Sequence, residues 1–265
     1  VEDDLGEYAD QPMIFAGYGR GRAMEPYIGK GITAENLVDV QRAVREHGCD
    51  LGVAFDGDAD RAMIIDGNGD TITADIMTAM LAPRFLRHEP GAVIVYDLRS
   101  SWSTKEAIAE AGGRPVRERV GHSFIKATMR EHNAPFGGEL AGHFYYRHNY
   151  TADSSIMTVV EALDLIRETG MTLAELAAPL KRYHATGEVN FHVDDKAGMI
   201  RQLAEAFSDG EIDYLDGITV QYEDWWFNVR PSNTEPLLRL VLEARSRELM
   251  EEKKAILLGY LGTPE

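Results

Sequence analysis

The hexapeptide Asp56-Gly57-Asp58-Ala59-Asp60-Arg61 places carboxylates at i, i+2 and i+4 directly after an apolar run. In a tight loop such groups converge on one hard cation, and all-oxygen ligands favour Mg2+, Ca2+ or Mn2+ over softer metals. An EF-hand loop needs Gly at its sixth position and Glu at its twelfth. Counted from Asp56, those positions are Arg61 and Gly67. A solvated acidic turn is the plain alternative. A second stretch, Gly137-Gly138-Glu139-Leu140-Ala141-Gly142-His143, sets one carboxylate and one titratable ring among glycines, whose backbone can approach a ligand closely. Its alternative is a glycine turn between strands. The third, Arg230-Pro231-Ser232-Asn233-Thr234-Glu235-Pro236 with Arg239 after it, gathers guanidinium forks, hydroxyls and an amide. That inventory suits a phosphate dianion, although a polar hairpin with salt-bridged arginines would read the same way. Arg99, Gly121-His122-Ser123 and Lys126 are lesser candidates; a helix N-terminus carrying His122 can face an anion.

These loops need a framework. A helix is expected after Thr33 as N-cap, with Leu37, Val40 and Val44 on one face and Gly48 as its stop. Leu51 to Phe55 reads as a buried strand and Met63 to Ile65 as another, so the acidic loop lies at a strand end. Asp66-Gly67-Asn68-Gly69 is a turn signal. Helices are expected over 76–86, 104–111, 123–131, 154–168 and 172–183, with strands over 92–96 and 115–118. Such βαβ alternation implies a mixed or parallel sheet flanked by helices. Near residue 183 the grammar changes to strands over 188–193, 218–222, 225–229 and 237–244, with helices over 198–207 and 247–261. That is a smaller α+β unit. Met13 to Ala16 reads as a short strand before Gly17-Tyr18-Gly19-Arg20-Gly21-Arg22, a turn whose third fingerprint glycine is replaced by Arg22.

Composition excludes several classes. The chain has 265 residues, 44% hydrophobic and 27% charged, which fits a globular protein of about two domains. Its formal charge of −17 argues against a nucleic-acid binder and against docking on anionic lipid. It leaves room for a phosphorylated substrate, because a few local arginines can build a phosphate site on an acidic protein. A lone cysteine, Cys49, excludes a disulfide framework and points to a reducing, cytoplasmic setting. No apolar run reaches the length of a membrane span. The sequence opens Val1-Glu2-Asp3-Asp4 without a Met or a signal-peptide layout, so it is expected to begin inside a longer protein.

In this order, the three loops resemble those of the α-D-phosphohexomutases, the phosphomannomutase/phosphoglucomutase family, from about Glu25 onward. Asp56-Gly57-Asp58-Ala59-Asp60-Arg61 looks like the family's metal-binding loop, Gly138-Glu139-Leu140-Ala141-Gly142-His143 its sugar loop, and Arg230-Pro231-Ser232-Asn233-Thr234-Glu235-Pro236 its phosphate loop. The resemblance implies mixed-sheet α/β domains of the phosphohexomutase type followed by a smaller α+β C-terminal domain. On that map residues 1–70 are the C-terminal part of domain 2, 71–183 domain 3, and 184–265 domain 4.

The reaction implied is interconversion of hexose 6-phosphate and hexose 1-phosphate through a phosphoserine and a 1,6-bisphosphate. Asp56, Asp58 and Asp60 would hold Mg2+, with Arg61, Arg99 and His122 beside the reacting phosphate. Glu139, Ala141 and His143 would face the sugar, and Arg230, Ser232, Asn233, Thr234 and Arg239 the phosphate that is not in transfer. The implied partners are mannose or glucose phosphates, their 1,6-bisphosphate, and N-terminal domains of the same protein.

The departures are specific. No stretch matches the family's serine loop of the form Thr-Ala-Ser-His-Asn-Pro; neither Ser100-Ser101-Trp102-Ser103 nor Asp153-Ser154-Ser155 resembles it. The chain alone is therefore expected to be inactive. Ala141 stands where many relatives have Ser, Ala59 where Gly is frequent, and Arg99 where Lys is frequent. Two other functions fit the same loops: a non-catalytic sugar-phosphate-binding fragment, and a metal-dependent sugar phosphatase using water as nucleophile.

Overall fold

A computed structural model describes residues 34–232 and 235–265. The strand expected over 13–16, the turn over 17–22 and the Thr33 cap lie outside these residues, as do Asn233 and Thr234. The described chain forms two compact units. Residues up to Arg117 together with Gly121–Leu180 make the first, and Glu118–Val120 with Lys181–Glu265 the second.

In the first unit, α1 (Ala34–His47) packs Leu37, Val40 and Val44 against an antiparallel sheet of β1 (Leu51–Phe55), β2 (Ala62–Asp66) and β3 (Thr71–Ile72). The contact is close because Gly52 lacks a side chain: a Cβ there would stand 2.5 Å from Val44. The Asp66 carboxylate accepts the Asn68 and Asp70 amides, and Gly69 turns the hairpin at φ +82.

The chain continues through α2 (Ala74–His88), β4 (Val93–Asp97), α3 (Trp102–Glu110), β5 (Arg114–Glu118), α4 (His122–His132), β6 (Phe136–Gly138), β7 (Phe144–Tyr146), β8 (Ala152–Asp153), α5 (Ser155–Thr169) and α6 (Leu173–Ala177). The strand order is β5-β4-β6-β7-β8, with β4 parallel to β6 and the pairs β6–β7 and β7–β8 antiparallel. The sheet is therefore mixed, as the alternation implied. Met77, Leu81, Phe136, Phe144 and Tyr146 are fully buried between sheet and helices. Gly138 lets α2 approach, since a Cβ there would meet the Thr78 hydroxyl at 2.0 Å.

One expected helix is shorter than its pattern. Thr172 caps it through a capping box with Glu175, but the α-helix ends at Ala177 and residues 178–180 are 3-10. Pro179 has no N–H to give the Glu175 carbonyl, which ends the α-helical ladder there.

The second unit is an antiparallel sheet with two helices. Its elements are β9 (His184–Ala185), β10 (Val189–His192), α7 (Lys196–Ala206), β11 (Glu211–Asp213), β12 (Ile218–Gln221), β13 (Trp225–Pro231), β14 (Leu237–Ala244) and α8 (Arg247–Leu261). The order is β10-β14-β13-β12-β11, with β9 also on β14. Phe191, Phe227, Val229, Leu240 and Leu242 of the sheet pack with Leu203 of α7 and Leu257 of α8. Among the described residues no helix is long and apolar enough to cross a membrane.

Candidate active site

The acidic loop leaves β1 and enters β2, so both ends are anchored in paired strands. One carboxylate oxygen from each of Asp56, Asp58 and Asp60 lies within 4.8 Å of the others. This close set of hard oxygen donors fits a divalent cation such as Mg2+. Arg61 turns back over the loop: its amide donates to Asp56 at 3.2 Å and its Nε reaches the same carboxylate at 2.8 Å. Ala59 sits at φ 59, the left-handed region that glycine occupies without strain. Its carbonyl accepts the Ser155 hydroxyl at 2.5 Å, which helps hold that geometry.

The glycine loop joins β6 to β7 and folds onto the acidic loop. The Ala62 amide donates to the Gly142 carbonyl at 3.0 Å, and His143 Nε2 lies 3.3 Å from Asp60 Oδ2. Gly142 is at φ +97 and a Cβ there would stand 3.2 Å from the Ala62 carbonyl oxygen, so glycine is required where the two loops meet. Inside the loop, the Glu139 amide donates to the His143 carbonyl and the Gly142 amide to the Glu139 carbonyl. Glu139 is only 3% exposed. Its carboxylate accepts the Tyr145 hydroxyl at 2.8 Å, with His143 Nδ1 at 3.8 Å and Arg99 Nη2 at 4.0 Å. Ala141 is half-buried on the same turn.

The charges set the protonation of the ring. Burial alone would lower the His143 pKa, but the Glu139 and Asp60 carboxylates outweigh it and hold the imidazole above its ordinary value. Burial, then the Glu139 carboxylate, pushes the Tyr145 phenol far up, so it stays a donor. At the far side of Tyr145, Lys126 Nζ donates to Asp153 at 2.6 Å and stands 5.4 Å over the Tyr145 ring. Lys126 therefore neutralises Asp153. Burial would raise that carboxyl, yet the lysine holds it below the usual range.

Arg99 follows β4 and is buried against Asp97, whose carboxylate takes its Nη2 at 2.6 Å and its Nε at 3.1 Å. The structure thus brings Arg99, Glu139, His143, Asp60 and Arg61 into one neighbourhood of the first unit. His122 opens α4, exposed, after Gly121 at φ +133.

The third loop lies in the second unit, between β13 and β14. Arg230 and Arg239 are directly opposite in the register. Both bind one acid, Glu188: Arg230 Nη2 at 2.7 Å and Arg239 Nη1 at 3.0 Å. Arg239 also reaches Glu235 at 2.5 Å. Arg230 is 2% exposed. The Ser232 amide donates to the Leu237 carbonyl, and its hydroxyl accepts the Glu235 amide at 3.2 Å, closing the turn.

Sequence reasoning missed Asp97, Tyr145 and Glu188. Asp97 had a signal, an acid at a strand end two residues before a candidate arginine. Glu188 and Tyr145 had none, because their partners are set by strand pairing.

Three family models match consecutive stretches of the chain. They are phosphoglucomutase/phosphomannomutase alpha/beta/alpha domain II over residues 23–69, alpha/beta/alpha domain III over 68–183, and the C-terminal domain over 188–258. The phosphomannomutase of Methanocaldococcus jannaschii is 43% identical over 94% of this chain and 55% of its own length. That of Escherichia coli K12 is 38% identical over 84% of this chain and 50% of its own. The crystal structure of a phosphoglucomutase/phosphomannomutase family protein from Burkholderia thailandensis superposes with a TM-score of 0.77 at 30% identity, covering 87% of this chain and 51% of that one. The chain spans about half the length of the curated relatives it matches.

Proposed function

Because the chain belongs to the phosphoglucomutase/phosphomannomutase family, we propose that it supplies the metal, sugar and phosphate loops of a phosphohexomutase. That enzyme, an isomerase, interconverts hexose 6-phosphate and hexose 1-phosphate through a phosphoserine and a 1,6-bisphosphate. Residues 1–70, 71–183 and 184–265 act as the end of domain 2, domain 3 and domain 4. Mannose and glucose phosphates are its substrates, and a cytoplasmic location belongs to the same reading.

Asp56, Asp58 and Asp60 would hold Mg2+. An ion held there would supply charge neutralisation to the phosphoryl group in transfer. The other steps are positioning by this chain's own side chains. Arg61, held by Asp56, keeps a guanidinium beside the transferring phosphate. Glu139 accepts sugar hydroxyls while Arg99 donates to them, and the His143 ring, 3.3 Å from Asp60, fixes the glycine loop on the acidic loop. His122, exposed at the start of α4, meets the reacting oxygen. In the second unit Arg230, Ser232, Asn233, Thr234 and Arg239 grip the other phosphate. No stretch of the sequence resembles the family's serine loop, so in this reading the chain binds and orients the sugar phosphate and the phosphoryl-accepting serine is not one of these loop residues.

The observation that carries this reading is the junction of metal and sugar loops, through Ala62–Gly142 and Asp60–His143. It sets the three aspartates beside the Glu139 turn, which supports reading them as neighbouring cation and hydroxyl sites. Purified chain with Mg2+, mannose 1-phosphate and glucose 1,6-bisphosphate should bind sugar phosphate without forming mannose 6-phosphate. Robust turnover by homogeneous chain would contradict the reading that the phosphoryl-accepting serine is not among these residues.

A further inference from the structure

Asp97 closes β4 with its side chain fully buried. Its Oδ1 accepts the Arg99 amide at 2.8 Å and the Ser100 hydroxyl at 3.4 Å. Its Oδ2 accepts Arg99 Nη2 at 2.6 Å, Arg99 Nε at 3.1 Å, and the Leu140 amide at 2.9 Å. One carboxylate therefore holds both the backbone and the guanidinium of Arg99, and also the residue next to Glu139. The other end of the Glu139 turn is closed by its bonds to Gly142 and His143. Fixing the Leu140 amide thus fixes Glu139 as well.

Stability alone is a weak reason for this arrangement. Two charges taken out of water lose much of their attraction to desolvation, and an apolar pair of similar volume commonly stabilises a core as well. What an apolar pair could not do is hold a guanidinium and a loop amide on one atom.

We propose that Asp97 is a positioning residue for hexose-phosphate recognition. It locks Arg99 and the Glu139 loop into one donor–acceptor pair, whose tips, Arg99 Nη2 and Glu139 Oε2, are held 4.0 Å apart. That fixed spacing, more than either residue alone, selects which pair of sugar hydroxyls is read. The proposal rests on the phosphohexomutase reading for its ligand, while the coupling between Arg99 and the sugar loop stands on geometry alone.

The test uses the 15N-labelled chain as wild type, Asp97→Asn, Arg99→Ala and the double variant, with mannose 1-phosphate as the probe. Loss of a charge-assisted hydrogen bond predicts that Asp97→Asn weakens binding by about tenfold. In the Arg99→Ala background the same change should cost clearly less than about tenfold, because Asp97 then positions only the Glu139 loop, through the Leu140 amide. Fully additive losses, the signature of a merely structural acid, would overturn the proposal. A second readout needs no ligand: Arg99→Ala should shift the amide resonances of Leu140, Ala141 and Gly142. Unmoved resonances would overturn the coupling. If they shift while wild-type chain binds no mannose 1-phosphate, the coupling stands and the hexose-phosphate reading fails. Should Asp97→Asn not fold, Arg99→Lys keeps the charge but gives up the paired contact, and affinity should fall by about fivefold to tenfold. Unchanged affinity in Arg99→Lys would equally overturn the proposal.

Discussion

His143 Nε2 stands 3.3 Å from Asp60 Oδ2, so the ring of the glycine loop is tied to a carboxylate of the acidic loop. The tie sets the three aspartates of the acidic loop and the Glu139 turn side by side. It also gives each loop a measurable effect on the other. His143→Ala should weaken Mg2+ binding by no more than about threefold, because the imidazole supports Asp60 and is not assigned to the Asp triad. The same change should shift the Asp60 amide in a 15N spectrum, and an unmoved Asp60 amide would contradict the tie.

Asp58 is the exposed member of the acidic triad. Asp58→Ala removes a ligand without opening a cavity, so stability should change by less than about 0.5 kcal/mol. Mg2+ affinity, measured by calorimetry, should fall by about tenfold or more, roughly 1.4 kcal/mol. Equal affinity would remove Asp58 from the site.

Ala59 at φ 59 carries left-handed backbone strain. An L residue there costs about 1–2 kcal/mol, while glycine adds roughly 0.4–1 kcal/mol of unfolded-state entropy to be lost on folding. Ala59→Gly should therefore be neutral to slightly stabilising by thermal denaturation, with Mg2+ affinity held within about twofold. Glycine at this position would change the backbone conformation and not the set of carboxylates.

Arg230 is buried beside Glu188 at 2.7 Å, and Arg239 shares the same acid. Arg230→Ala should weaken mannose 1-phosphate by roughly tenfold to a hundredfold, leave free mannose unchanged, and lower stability by about 1–3 kcal/mol. Arg230→Lys should recover only part, since an ammonium cannot replace a planar fork. Arg245→Ala is the control: its pair with Asp224, at 3.1 Å, is exposed on both sides and should contribute little.

Acid sensitivity of the first unit should pass through α2 and α5. Arg84 contacts Glu161 at 2.9 Å and Glu168 at 2.6 Å, and Arg87 contacts Glu168 at 2.7 Å. The Arg87 bond, aided by Arg84, holds the Glu168 carboxyl below its ordinary value against the opposing effect of burial. A depressed carboxyl contributes stability that is complete above its unfolded pKa and disappears as pH falls through the folded one. Wild type should therefore exceed Arg84→Met in melting temperature at neutral pH, and the gap should close in acid. A gap that widens toward low pH would contradict this.

Much of the site was legible because it sits where strands end. The Asp56–Asp60 spacing, the glycines around Glu139 and the arginines around Ser232 announce chemistry through residue type alone. Strand β14 and helix α8 fall on their expected bounds, since Ser246 caps the helix through the Leu249 amide at 3.2 Å. β6 was hidden: it is three residues long, two of them glycine, which mimics a turn. The helix expected over 172–183 stops early because Pro179 was outvoted by the apolar pattern around it. The pairings Asp97–Leu140 and Arg230–Glu188 were not legible, because strand order, not spacing, brings those residues together.

The most direct test of the account is an NMR titration of wild-type chain with mannose 1-phosphate in the presence of Mg2+, with free mannose as the control. Saturable shifts are expected at the amides of Asp58 to Arg61, Glu139 to His143, Arg230 and Ser232, with much weaker binding of mannose. Shifts absent from all three loops, or equal affinity for mannose and mannose 1-phosphate, would contradict it.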